Sequence, residues 1–165
     1  MLMVIKEWKV MEKRFMERAI ELARNGMQNN RGGPFGCVIV KDGTILAEGN
    51  NCVTSDNDPT AHAEIVAIRR ACIESGSFQL TGCDLYTSCE PCPMCLGAIY
   101  WARPDRVYFA ATRNDAAKAG FDDDFIYKEL DLPPHKRKIP MITAERELAI
   151  RLFDEWRAKD DKLGY

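Results

Sequence analysis

The chain has 165 residues, 23 Lys and Arg against 25 Asp and Glu, and a formal net charge of −2. That balance excludes a protein held to nucleic acid by bulk positive charge, and a hydrophobic content of 46% excludes a disordered acidic chain. A chain of this length buries roughly 70% of its unfolded surface, so a single domain over residues 1–165 is expected.

Residues Met1–Ile5 are apolar but stop at Lys6 and Glu7, too short a run for a signal-peptide core. No stretch reaches the roughly 18 apolar residues of a membrane span. The expected compartment is therefore the reducing cytoplasm. There, the seven cysteines read as ligands, nucleophiles or buried small hydrophobes, not disulfides.

The first periodic segment runs from about Met11 to Met27. Met11, Phe15, Ala19, Leu22, Ala23 and Gly26 recur at three- and four-residue steps, which predicts an amphipathic helix. It stops in Asn29-Asn30-Arg31-Gly32-Gly33-Pro34. Phe35–Lys41 and Thr44–Gly49 then flank Asp42-Gly43, a hairpin signal, because both central residues of a type I′ turn need positive φ. A polar loop follows from Asn50 to Thr60.

A second helix fits His62–Ile73, with Ile65, Ile68 and Cys72 on one face. Asp84–Ser88 reads as a strand and Pro93–Trp101 as a helix, with Pro93 in its first turn. Arg106–Ala111 reads as another strand. Thr112–Lys138 is polar and irregular, with a short helix around Phe125–Glu129. A last helix fits Ala144–Lys159, with Leu148, Leu152, Phe153 and Trp156 expected to be buried. This alternation predicts an α/β three-layer sandwich, helices on both faces of a central mixed sheet of about five strands.

Chemistry concentrates in His62-Ala63-Glu64 and Glu90-Pro91-Cys92-Pro93-Met94-Cys95, with 29 residues between His62 and Cys92. Two cysteines three apart at a helix N-terminus can share one metal, and the helix dipole favours their thiolates. Two thiolates and an imidazole select zinc. Apart from the run Cys89, Cys92 and Cys95 the chain offers no further cysteine pair at this spacing, and its other histidine, His135, lies in a basic, proline-rich loop. Three protein ligands with an open position are the catalytic arrangement, in which zinc brings the pKa of its water toward about 7.

Glu64 is the natural proton carrier for that water. On a regular helix, residues two apart point in nearly opposite directions, so His62 and Glu64 converge only if His62 is a cap with non-helical backbone. The competing readings of the CxxC are a redox pair, a closed structural zinc site using Cys89, and accidental core residues.

The His-x-Glu and Pro-Cys-x-x-Cys pattern resembles the cytidine-deaminase-like zinc deaminases. Gly32–Gly36, Asn57–Glu64, Tyr86–Arg103 and Gly120–Tyr127 further resemble bacterial guanine deaminases, over most of the chain from about Phe15. The resemblance implies the cytidine-deaminase-like fold, one Zn2+ per site held by His62, Cys92 and Cys95, and Glu64 as the catalytic acid/base. It also implies a substrate pocket formed by Asn51, Phe35, the backbone of Ala63, Asp123 and Tyr165. The expected reaction is hydrolysis of guanine to xanthine and ammonia, by attack of zinc-bound hydroxide with Glu64 shuttling protons.

The partner expected is a small purine base, with no nucleic acid and no membrane. A homodimer is expected too, with C-terminal segments exchanged and residues 157–165 as a lid. Residues 1–10 read as an N-terminal extension. Plainer readings remain: Asn51 as a loop residue, Phe35 as core, Asp122–Asp124 as a solvated turn, and Tyr165 as a frayed end. The rival functions are a tRNA adenosine deaminase or a cytosine-type deaminase of the same fold, and, from another class, a zinc or redox adaptor protein. Near-neutral charge and the acidic Asp122-Asp123-Asp124 turn favour a free base over RNA.

Overall fold

A computed structural model of the chain describes residues 2–121 and 123–164, with side chains from residue 13 onward. The first element is the helix α1 (Leu2–Gln28), followed by strands β1 (Gly36–Lys41) and β2 (Thr44–Asn50). Asp42 and Gly43 between them have φ of 49° and 72°, the left-handed pair that the Asp-Gly signal predicts. A short helix α2 (Val53–Asp56) interrupts the expected polar loop. Then come α3 (Ala63–Ser75), β3 (Cys83–Cys89), α4 (Pro93–Ala102), β4 (Arg106–Ala111) and α5 (Arg113–Lys118). The chain continues through α6 (Asp124–Leu130), a 3-10 turn at Pro134–Lys136 and α7 (Arg146–Ala158).

The sheet is mixed, in the order β2-β1-β3-β4. β1 pairs antiparallel with β2 and β3, while β4 runs parallel to β3 through the α4 crossover. Among the described residues it has four strands, the four that the sequence pattern marks one by one, where about five were expected.

Both faces of the sheet are buried, and the strand period of two explains how. On β1, Val38 and Val40 join Phe15 and Ala19 of α1 and Tyr86 of β3. Cys37 and Ile39, pointing the other way, pack with Ala63, Ala67 and Ala71 of α3, Leu85 of β3, and Ile99 and Ala102 of α4. The three alanines recur every fourth residue, so α3 presents its smallest side chains to the sheet. Gly49 of β2 completes this close approach, since a Cβ there would lie 2.3 Å from the Ala63 carbonyl oxygen.

The chain divides into two compact units, residues 1–124 and 125–165. The first holds the whole sheet. In the second, the sequence expectation of a buried α7 face is overturned: Leu148, Leu152, Phe153 and Trp156 are 54%, 64%, 67% and 44% exposed. Helical periodicity specifies that an apolar face exists; it does not say that the same chain covers it. Among the described residues, no helix is long and apolar enough to cross a membrane.

Candidate metal centre and active-site cavity

Two helix starts meet at one point. Ahead of α3, Asp58 Oδ1 accepts hydrogen bonds from the Thr60 backbone N–H at 2.8 Å and the Thr60 hydroxyl at 2.7 Å. The Cys52 N–H donates to the Ala61 carbonyl at 2.9 Å. This turn brings His62 in as the N-cap of α3, with φ −67° and ψ 156°. The extended backbone at His62 is the condition under which His62 and Glu64 can converge, and they do.

Ahead of α4, the end of β3 is tied to the end of β4, with the Glu90 N–H donating to the Ala111 carbonyl at 2.8 Å. Cys92 is then the N-cap of α4, also extended, and Pro93 opens the helix without needing a donor. Cys95 follows within the first turn, fully buried.

His62 Nδ1 lies 3.5 Å from the Cys92 sulfur and 3.6 Å from the Cys95 sulfur. The three ligand atoms all lie within 4.8 Å of one another. Tetrahedral zinc with Zn–S of about 2.3 Å and Zn–N of about 2.0–2.1 Å places sulfur and nitrogen about 3.6 Å apart. The donor set therefore fits zinc in both chemistry and spacing. A hydrogen bond from the Cys95 thiol, and another from His62, hold the Cys92 thiol down to about 4. Sharing that proton and burial push the Cys95 thiol up, and the bond to Cys92 raises His62.

Glu64 is 6% exposed and belongs to the same knot. Burial raises its carboxyl above the usual carboxylate range. Its Oε1 accepts from the Thr87 hydroxyl at 3.1 Å, and its Oε2 lies 3.5 Å from the Cys95 sulfur.

A cavity of about 340 Å³ opens onto this knot, within the first unit. Its walls include His62, Glu64 and Cys92, together with Phe35, Asn51 and Asp123. Asn51 Oδ1 is committed to the backbone, accepting from the N–H groups of Gly33 at 3.3 Å and Val53 at 3.2 Å. Its Nδ2 amino group is what remains to offer a ligand, as a donor. Phe35 touches Phe121 edge-on, with centroids 4.9 Å apart and planes at 81°.

Ala63 does not line the cavity; its side chain is buried in the core between α3 and the sheet. Tyr165 and Asp122 lie outside the described residues. The sequence reading did not single out Phe121, Glu90, Arg113 or Thr87. The first three line the cavity, and Thr87 holds Glu64 from behind. Phe121, Glu90 and Thr87 lay in stretches already quoted for their resemblance. No sequence signal says that residue 87 meets residue 64.

Residues 9–111 match the family described as the cytidine and deoxycytidylate deaminase zinc-binding region. Guanine deaminase of Bacillus subtilis is 58% identical over 151 residues, covering 92% of this chain and 97% of that protein. The X-ray structure of guanine deaminase from the same organism superposes with a TM-score of 0.91 at 57% identity, covering 93% of this chain and 98% of that one. A tRNA-specific adenosine deaminase of Agrobacterium fabrum is 45% identical, but over 97 residues, which cover 59% of this chain and 63% of that protein. The resemblance seen in the motifs thus extends nearly end to end for one relative and over little more than half the chain for the other. The chain belongs to the cytidine and deoxycytidylate deaminase zinc-binding family, with the bacterial guanine deaminases.

Proposed function

We propose that this protein hydrolyses guanine to xanthine and ammonia. The observation that carries the reading is the pairing of opposite hydrogen-bonding characters, the Asn51 amino group and the Asp123 carboxylate, on the walls of the cavity that Glu64 faces. Guanine presents O6 and N7 as acceptors and N1–H and the 2-amino group as donors. Asn51 Nδ2 suits the acceptors, and Asp123 suits the donors. Phe35 walls the ring, and the Ala63 N–H, at the start of α3, is a further donor to the base.

His62, Cys92 and Cys95 hold one zinc, which when bound supplies an acidified water as nucleophile at neutral pH. Glu64 takes a proton from the attacking water and gives it to ring N3 as C2 becomes tetrahedral. It then takes the second proton from the new C2 hydroxyl and gives it to the amine as the C2–N bond breaks, so that ammonia leaves and the C2 carbonyl of xanthine forms. Its burial supports this work, because a carboxyl raised above its usual range holds a proton more readily than an exposed one. Excluding water from around Glu64 also strengthens its interaction with the reacting centre.

The chain acts as one deaminase domain in the cytoplasm, with residues 1–10 as an extension. It works as a homodimer with exchanged C-terminal segments, in which residues 157–165, Tyr165 among them, form a lid over the cavity. The uncovered apolar face of α7 supports this, since an exposed row of Leu152, Phe153 and Trp156 calls for a partner surface. Sedimentation at micromolar concentration reads the oligomer; a monomer there refutes it.

Ammonia release from guanine, adenine, cytosine, their nucleosides and a tRNA anticodon stem tests the substrate. Release from guanine alone is expected. Turnover of the tRNA stem, or none of guanine, overturns the reading. In the same assay Glu64→Gln keeps its zinc and loses at least about a hundredfold in kcat.

A further inference from the structure

Thr87 is 1% exposed and sits where the strand pattern asks for an apolar residue. Side chains alternate along β3, so Cys83, Leu85, Thr87 and Cys89 share the face turned to α3 and α4. Cys83 and Leu85 belong to the apolar core there. Thr87 is the one hydroxyl in that row, and its cross-strand neighbour on β1 is Cys37, another buried apolar position. Valine has the same shape and would fill the site without a polar atom to satisfy. The hydroxyl instead finds a partner, Glu64 Oε1 at 3.1 Å.

We infer that Thr87 is a positioning residue that divides the work between the two oxygens of Glu64. A hydroxyl donating to Oε1 makes that oxygen the permanent acceptor. The proton that Glu64 carries is then left to Oε2, which lies beside the metal site and accepts from the Cys95 thiol at 3.5 Å, a donor that is lost when Cys95 binds zinc as a thiolate. The bond from Thr87 also removes the freedom of the carboxylate to rotate, which would exchange the two oxygens. β3 is held in the middle of the sheet between β1 and β4, so Thr87 is a fixed support. Glu64, by contrast, is on the first turn of a helix, with a flexible two-carbon stem. Turnover gains because a proton shuttle must present the same oxygen to water, ring nitrogen and leaving amine in succession.

The inference rests on the reading of Glu64 as the proton carrier, and the experiment separates the two. Thr87→Val, Thr87→Ser and Glu64→Gln are compared with wild type for kcat, KM, bound zinc and melting temperature, with guanine as substrate. Thr87→Val removes the donor and keeps the shape. Its kcat is expected to fall roughly tenfold, the scale of one hydrogen bond to a charged group. KM should stay within about twofold, with one zinc per chain and no loss of melting temperature.

Thr87→Ser keeps the hydroxyl, drops a methyl, and should retain kcat within about twofold. If Thr87→Val has wild-type kcat while Glu64→Gln is inactive, the positioning role is wrong and the proton carrier stands. If Glu64→Gln itself turns over normally, the carrier reading fails first. An equal loss of kcat in the valine and serine variants would mean that packing, not the hydroxyl, matters, and would also overturn the inference.

Discussion

Gly49→Ala tests how the metal centre depends on the distance between a strand and a helix. A methyl group at residue 49 would lie 2.3 Å from the Ala63 carbonyl oxygen and 2.7 Å from the Ala67 nitrogen. Both are backbone atoms, so no side chain can rotate away. A carbon and a carbonyl oxygen tolerate about 3.3 Å, so the start of α3 must retreat from β2 by about 1 Å. That start carries His62 and Glu64, while Cys92 and Cys95 ride on α4 and are not pushed. His62 Nδ1, 3.5 Å and 3.6 Å from the two sulfurs, is then drawn off the corner that a zinc ion requires.

Overpacking of this kind destabilises by about 1–3 kcal/mol. For a chain of this size each kcal/mol lowers the melting temperature by about 2–4 °C. A misplacement of about 1 Å at reacting groups lowers turnover about a hundredfold. Thermal melts, zinc per chain and kcat/KM on guanine are the measurements. A variant that melts with wild type, holds one zinc and turns over normally would refute the idea that this glycine sets the position of His62.

The Arg18–Glu48 pair joins α1 to β2 through two hydrogen bonds of 2.7 Å and 2.8 Å. The Arg18 guanidinium holds the Glu48 carboxyl below its usual range. Because the folded value is the lower one, the stabilisation is complete above the unfolded pKa of about 4.3 and is lost as pH falls through the folded value. Glu48→Gln should therefore cost up to about 1 kcal/mol in urea melts at pH 7, with the gap closing in strong acid; a gap that persists unchanged at pH 2 contradicts the linkage. Cys92→Ala removes one of three ligands and should leave less than one zinc per chain with activity lost; wild-type zinc affinity in that variant would show that the sulfur is not a ligand.

The sequence by itself determined the sheet strands and the helices that flank them, and the residues that meet at the candidate metal centre. Asp42-Gly43 can serve few roles besides a tight hairpin, because the backbone there must turn left-handed. His62, Cys92 and Cys95 were legible because zinc chemistry needs those atom types, and because Pro93 marks the start of the helix that carries Cys95. The convergence of His62 with Glu64 could be stated only as a condition on the backbone, and the extended His62 meets it.

Tertiary structure decided what depends on contacts between distant residues. Thr87 looked like any strand threonine until β3 passed behind Glu64. Asn51 became a donor only because Gly33 and Val53 occupy its oxygen. The apolar face of α7 was visible as a periodicity, yet its exposure was not, because a hydrophobic pattern records the need for a partner and not where the partner lies. Local chemistry is written in residue types and spacings along the chain. The neighbours that orient it are set by the packing of the sheet and its helices.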